Sequence, residues 1–221
     1  MPSGGQEEPR LVNQLIQHRD VQETVTAYNR TATNYDEEFP VEVLGGPRFA
    51  TEAVLDLFPE DGAVPRGQLK VLDVAAGTGL VGQRLYDAGI RNLDALEPSS
   101  EMIKIAQSRG IYQRIIEDVI GHHRIDVEDN TYDLVVVAGA FVPGHCPLTA
   151  LDEMIRVCKP GGYIINSMRL EFLFISKDYT GLLDYQRALE ERGLWRRVSH
   201  IIVDRYFETV KQGITFVYQK I

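Results

Sequence analysis

The stretch Leu69–Gly79, LKVLDVAAGTG, decides how the chain is read. Its first seven residues are apolar apart from Lys70 and Asp73, the pattern of a strand buried on both faces of a sheet. Glycines follow directly, and Leu80–Ala88 then reads as a helix stopped by Gly89 at a C′ position. A glycine turn between a buried strand and a helix lets a ligand approach the backbone closely, and the helix adds the positive end of its dipole. Glu97, at the end of the next strand, lies 20 residues past Gly77, where an acid can accept both hydroxyls of a nucleotide ribose. Strand context, glycines and acid together predict an adenosine-containing ligand.

Two templates fit the loop. Gly77, Gly79 and Gly82 satisfy G-x-G-x-x-G, the dinucleotide pattern. Asp73 argues against a dinucleotide, because a buried carboxylate is costly without a cation or donors and would repel a pyrophosphate. A ligand with an ammonium group would be attracted instead. S-adenosylmethionine carries an ammonium and a sulfonium and no phosphate. Its template, D-x-G-x-G-x-G, is met by Asp73, Gly77 and Gly79, with Ala75 in place of the first glycine.

Outward from this loop the chain alternates strand and helix. Further strands are predicted at Asn92–Leu96, Ile111–Ile116, Tyr132–Ala138 and Tyr163–Met168, with helices after Ser99 or Ser100, over Pro147–Cys158 and around Thr180–Arg192. Leu194–Thr209 and Gly213–Ile221 are β-rich and closely spaced, which predicts an antiparallel hairpin at one edge. The expected fold is α/β, a Rossmann-like doubly wound sheet of seven strands, parallel except for an antiparallel last strand. Upstream, residues 1–9 are expected to be a disordered tail. A helix is expected from Arg10 to about Asn29, with Leu11, Val12, Leu15, Ile16, Val21 and Val25 near one stripe, and Pro47 opens another that Pro59 closes. Residues 10–66 are read as a helical lid segment, and 67–221 as the cofactor-binding domain.

Several segments resemble the class I S-adenosylmethionine-dependent methyltransferases: LDVAAGTG, LEPSSEMI (Leu96–Ile103), YDLVVVAGAF (Tyr132–Phe141) and KPGGYI (Lys159–Ile164). More narrowly, AAGTGLVGQRL, IYQRIIEDVIG, GAFVPGH and LEERGLW are similar to the methyltransferase-like proteins named for the Williams–Beuren syndrome region. The resemblance implies S-adenosyl-L-methionine as cofactor and S-adenosyl-L-homocysteine as product. It implies that Gly77 and Gly79, with Ala75, pass under the methionine part of the cofactor and that Asp73 anchors its amino group, directly or through water. Glu97 would hold the ribose hydroxyls, with Pro98 shaping the turn. The adenine amine would fall to Asp118, beside Val119, with Glu117 as the alternative; the usual G-D-A is absent there. Tyr28 and Tyr35 lie in YNRTATNYD, which is similar to the Y-D-x-x-A-x-x-Y-D lid of many small-molecule methyltransferases.

Methyl transfer from a sulfonium asks the protein mainly for alignment, and for a base where the nucleophile begins protonated. The acceptor should enter at the carboxyl ends of the fourth and fifth strands. The fourth ends in Ala138-Gly139-Ala140-Phe141, placing Ala138 against the cofactor and Phe141 against the acceptor. An N-P-P-Y motif and a Pro-Cys nucleophile are both missing, so Cys146 and Cys158 read as small apolar fillers. His145, just beyond, is the candidate base and acceptor contact. Arg169, ending the fifth strand, could grip an acceptor carboxylate or pair with Glu171. The adjacent His122 and His123 lack metal-ligand spacing, and no metal site is expected.

Composition narrows the partners. Of 221 residues, 23 are Lys or Arg and 32 Asp or Glu, a net charge of −9 that gives little attraction to nucleic acid or anionic membranes. The longest uncharged apolar run, Leu134–Val142, is far short of the ~20 residues of a membrane span, and no export signal is visible, which predicts a cytoplasmic protein. The expected acceptor is a small molecule bearing an N or O nucleophile, with a protein as the second choice. The rivals are a NAD-dependent oxidoreductase and a non-catalytic binding module that keeps the cofactor fold.

Overall fold

A computed structural model describes residues 15–16, 20–40, 43–207 and 211–221. The expected tail over 1–9 and the start of the first predicted helix, with Leu11 and Val12, lie outside these residues. The sheet contains β1 (Lys70–Val74), β2 (Asn92–Leu96), β3 (Tyr112–Ile116), β4 (Tyr132–Ala138), β5 (Cys158–Arg169), β6 (Trp195–Phe207) and β7 (Lys211–Lys220). Its order is β3-β2-β1-β4-β5-β7-β6, and β7 alone runs against its neighbours. This is the Rossmann-like arrangement expected, with the strand order reversing between β1 and β4.

The helices are α1 (Val21–Glu38), α2 (Gly45–Leu57), α3 (Leu80–Asp87), α4 (Ser100–Ser108), α5 (Ala150–Val157), the single turn α6 (Phe172–Ile175) and α7 (Leu182–Glu191). Strand alternation divides the core into two layers. Val71, Leu93, Leu134, Val136 and Ile165 face Ala50, Val54 and Leu85 of α2 and α3. Leu72, Val74, Val135, Val137 and Ile164 face Leu151, Met154, Leu182 and Leu189 of α5 and α7. Leu134 to Val137 are all fully buried, as a strand covered on both sides requires.

Two elements depart from the sequence reading. Helix α1 is capped by Asp20 and continues through the polar Tyr28–Glu38 stretch. Asp20 and Glu23 form a reciprocal capping box, Glu23 N–H donating to Asp20 Oδ1 at 2.8 Å. The fifth strand begins at Cys158 rather than Tyr163, and Lys159-Pro-Gly-Gly is a bulge within it. Gly161 has φ +79, and a Cβ on Gly162 would stand 2.8 Å from the Asp133 carbonyl, so the two glycines fit that bulge. Trp195 packs the edge hairpin, stacked on Tyr218 with ring centres 3.9 Å apart.

Candidate functional site

The glycine turn is built around one buried carboxylate. Ala75, Gly77 and Gly79 have φ of +53, +58 and +91, so the chain leaves β1 through three left-handed residues before Gly79 caps α3. Beneath the turn, Asp73 Oδ2 accepts from Gly82 N–H at 3.0 Å and from the Tyr112 hydroxyl at 2.7 Å. A Cβ at Gly82 would lie 2.1 Å from that hydroxyl. The third glycine of the dinucleotide-like pattern is therefore required by Tyr112, not by a pyrophosphate. Burial pushes the Asp73 carboxyl up to about 7 against the pull of these two donors. Its Oδ1 is buried without a hydrogen-bond partner.

Glu97 closes the turn from the other side. Its Oε2 accepts from Gly77 N–H and its Oε1 from Ser99 N–H, both at 2.9 Å, which ties the end of β2 to the glycine loop. Burial raises this carboxyl also to about 7, opposed by the Ser99 and Gly77 amides. A Cβ on Gly77 would meet nothing within 4 Å, so the loop presents open backbone on that side.

That open side faces a cavity of about 210 Å³. Ala75, Gly77, Glu97 and Pro98 form one wall, and Asp118, Val119 and Ala138 another. Tyr28 and Tyr35 of α1 cover it, and His145 and Arg169 stand at the carboxyl ends of β4 and β5. Glu117 is exposed and does not line it, leaving Asp118 at the position considered for adenine. Asp118 is held by Val119 N–H at 2.8 Å and by His123 Nε2 at 3.0 Å.

Two residues fall elsewhere than expected. Phe141 is no acceptor contact: Gly139, with φ +73, turns the chain, and the ring packs on Tyr179 in the core, fully buried. Gly79 lies behind the wall, facing Tyr112 and Arg109. Asp73 also lies behind the wall rather than in it, so any contact of its carboxylate with a ligand would run through the loop or a water.

The sequence reading missed how α1 is fastened. Asp36 accepts from the Thr78 hydroxyl of the glycine loop and pairs with Arg109, both at 2.6 Å, while Arg109 Nε donates to the Thr78 carbonyl. Asn29 Oδ1 accepts from the Ser99 hydroxyl at 2.7 Å and from Glu101 N–H at 3.2 Å. Helix α1 thus grips both segments that would hold the cofactor. Asp36 was legible as the residue after Tyr35; nothing near Arg109 in sequence marks its role.

Phe39, Val142 and Phe207 add apolar lining to the cavity. Arg169 is 5% exposed, pairs with Glu171, and has its guanidinium 4.8 Å from the Phe172 ring centre. Cys146 lines the same space, but burial, reinforced by the Glu97 charge, pushes its thiol up to about 12, which leaves no thiolate nucleophile at neutral pH. Among the described residues no cluster could hold a metal ion, and no helix is long and apolar enough to cross a membrane.

This fold and site define a class I methyltransferase, and comparison with known proteins agrees. The methyltransferase domain family matches residues 71–162. The chain is 30% identical over 191 residues to human methyltransferase-like protein 27, covering 84% of this chain and 74% of that protein. It is 35% identical over 144 residues to a demethylmenaquinone methyltransferase of Renibacterium salmoninarum, covering 65% of this chain and 57% of the relative. Among solved structures, the [4+2]-cyclase SpnF superposes with a TM-score of 0.68 at 17% identity, over 93% of this chain and 98% of that one. The chain belongs to the class I S-adenosylmethionine-dependent methyltransferases, and S-adenosylmethionine is its cofactor. The site can take such a molecule: the open backbone of Gly77 and the buried carboxylate of Glu97 both border the cavity.

Proposed function

We propose that the chain methylates an N or O nucleophile on a small, largely apolar molecule held under α1, in the cytoplasm. The observation that carries this reading is the end of the cavity around Phe39, Val142 and Phe207, apolar except for Thr24, His145, Arg169, Tyr206 and the tyrosines of α1, and lined on one side by α1. When bound, the cofactor supplies an activated methyl group. The protein's part is to hold Glu97 against the ribose and Asp118 against the adenine, and to bring the acceptor between Tyr28, His145 and Arg169. His145 serves as the base on which the proton lost by the acceptor ends, and Arg169 orients any anionic group on it. Residues 10–66 act as the lid segment and 67–221 as the catalytic domain.

A screen of low-molecular-weight phenols, alcohols and amines, scored by S-adenosylhomocysteine release, tests the proposal. Turnover with members of the panel is expected; turnover only with protein acceptors would overturn it. A carbon acceptor is the second reading, favoured by the demethylmenaquinone methyltransferase relative. Carbon-13 NMR of the labelled methyl group in the product separates the two, since methyls on carbon, nitrogen and oxygen resonate apart.

A further inference from the structure

The loop after β4 is held with unusual care for one histidine. The Tyr179 hydroxyl lies 2.8 Å from the carbonyls of both Val142 and Cys146. Gly144 N–H donates to Asp178 at 3.1 Å, and its carbonyl accepts from Thr24 of α1 at 3.0 Å. Between these anchors, His145 Nδ1 lies 2.9 Å from the Pro143 carbonyl and Nε2 lies 2.8 Å from the Tyr28 hydroxyl. The Tyr28 ring stands edge-on to the imidazole at 89°.

Hydrogen-bond chemistry fixes the protons in this arrangement. A carbonyl oxygen can only accept, so Nδ1 carries the hydrogen. In the neutral ring Nε2 is then an acceptor, and Tyr28 must be its donor. The phenol oxygen keeps its lone pairs for a group in the cavity that both residues line. Burial, then the charge of Tyr35 and Glu97, holds the Tyr28 hydroxyl well above its ordinary value, so it stays protonated when free.

We infer that Tyr28 and His145 form a proton-relay dyad, in which the Tyr28 hydroxyl, rather than the imidazole, meets the acceptor. This deepens the function proposed above and rests on it. As the bond from the nucleophile to the methyl carbon forms, the nucleophile's proton passes to Tyr28 Oη. The proton of Tyr28 passes to His145 Nε2, giving imidazolium. The positive charge that leaves the sulfonium as the carbon–sulfur bond breaks thus ends on His145, which later returns its proton to water. No oxidant or further reactant is needed. The relay requires an acceptor that carries an exchangeable X–H, and it gives α1 a chemical task besides covering the site.

Two measurements test the dyad. The first is long-range proton–nitrogen NMR of the full chain labelled at histidine nitrogen and saturated with S-adenosylhomocysteine, His145 being assigned by its loss in His145→Gln. Hydrogen on Nδ1 and a bare Nε2 at neutral pH are expected; hydrogen on Nε2, or an imidazolium, overturns the dyad without any acceptor present. The second uses an acceptor found in the screen. Tyr28→Phe and His145→Gln should each lower kcat about 100-fold, and the double variant no further than the worse single one. S-adenosylhomocysteine affinity by calorimetry should stay within about threefold for Tyr28→Phe, which keeps the ring; full kcat in that variant overturns the relay. Absence of any acceptor in the screen would count against the function proposed above, and the nitrogen spectrum would still decide the dyad.

Discussion

Cofactor binding should expel protons near neutral pH. Burial lifts the Glu97 and Asp73 carboxyls to about 7, the backbone donors opposing it only in part. A ligand bearing an ammonium, with ribose hydroxyls donating to Glu97, favours the carboxylate over the acid. If only ionised Glu97 binds, the cofactor's affinity falls about tenfold from pH 8 to pH 6, or about 1.4 kcal/mol. A matching demand on Asp73 would bring the loss toward about a hundredfold. Titration calorimetry with S-adenosylhomocysteine, in buffers of different ionisation heat, reads both quantities. About half a proton per participating carboxyl should pass to buffer near pH 7. Glu97→Gln should remove its share and weaken binding further, because its amide must point N–H at either Gly77 or Ser99 N–H. The sign extends to folding. Both carboxyls sit above their ordinary values of 4.5 and 3.8, so their contribution to free-protein stability is full below those values and lost as pH rises through about 7. An affinity constant from pH 6 to pH 8 with no proton released would refute the reasoning.

Three further outcomes are expected. Ala75→Gly relieves a left-handed alanine, worth about 1–2 kcal/mol, against about 0.4–1 kcal/mol of added unfolded-chain freedom. The melting midpoint should therefore rise by about 1–2 °C, and a fall would refute the strain. Asp36→Ala unfastens α1 from Thr78 and Arg109; with Asp36 41% exposed, the loss is about 1 kcal/mol. It should speed hydrogen exchange across Val21–Glu38 and weaken S-adenosylhomocysteine binding severalfold, and unchanged exchange would dismiss the clasp. Trp195→Ala empties a fully buried stack on Tyr218 and should cost about 3–5 kcal/mol, lowering the midpoint by about 10 °C, with Trp195→Phe recovering part of it.

The sheet was legible where local pattern and burial agree. Asn92–Leu96 and Tyr132–Ala138 form strands over the predicted residues, and the hairpin lies at the predicted edge. Lys159–Gly162 misled because Pro-Gly-Gly is turn chemistry in sequence and a bulge in the sheet. Phe141 misled because strand alternation stops at Gly139, whose positive φ turns the chain inward. The cofactor loop and its acid could be read because they are close in sequence. The Asp36–Arg109 and Tyr28–His145 contacts join segments 73 and 117 residues apart, and no local pattern encodes such a pairing.

The reversed strand also sets a clock on assembly. β7 fills the slot between β5 and β6, pairing Ile164 with Tyr218 on one side and Arg197 with Tyr218 on the other. A growing chain can pair β1 to β5 early, but until residues near Lys220 leave the ribosome β5 presents a bare edge and β6 has no neighbour. The face of Ile164 and Met168 that becomes core is meanwhile open to stray partners. The aggregation hazard is therefore greatest before β7 is made, and substitutions in β7 should lower yield more than equally buried ones in β1.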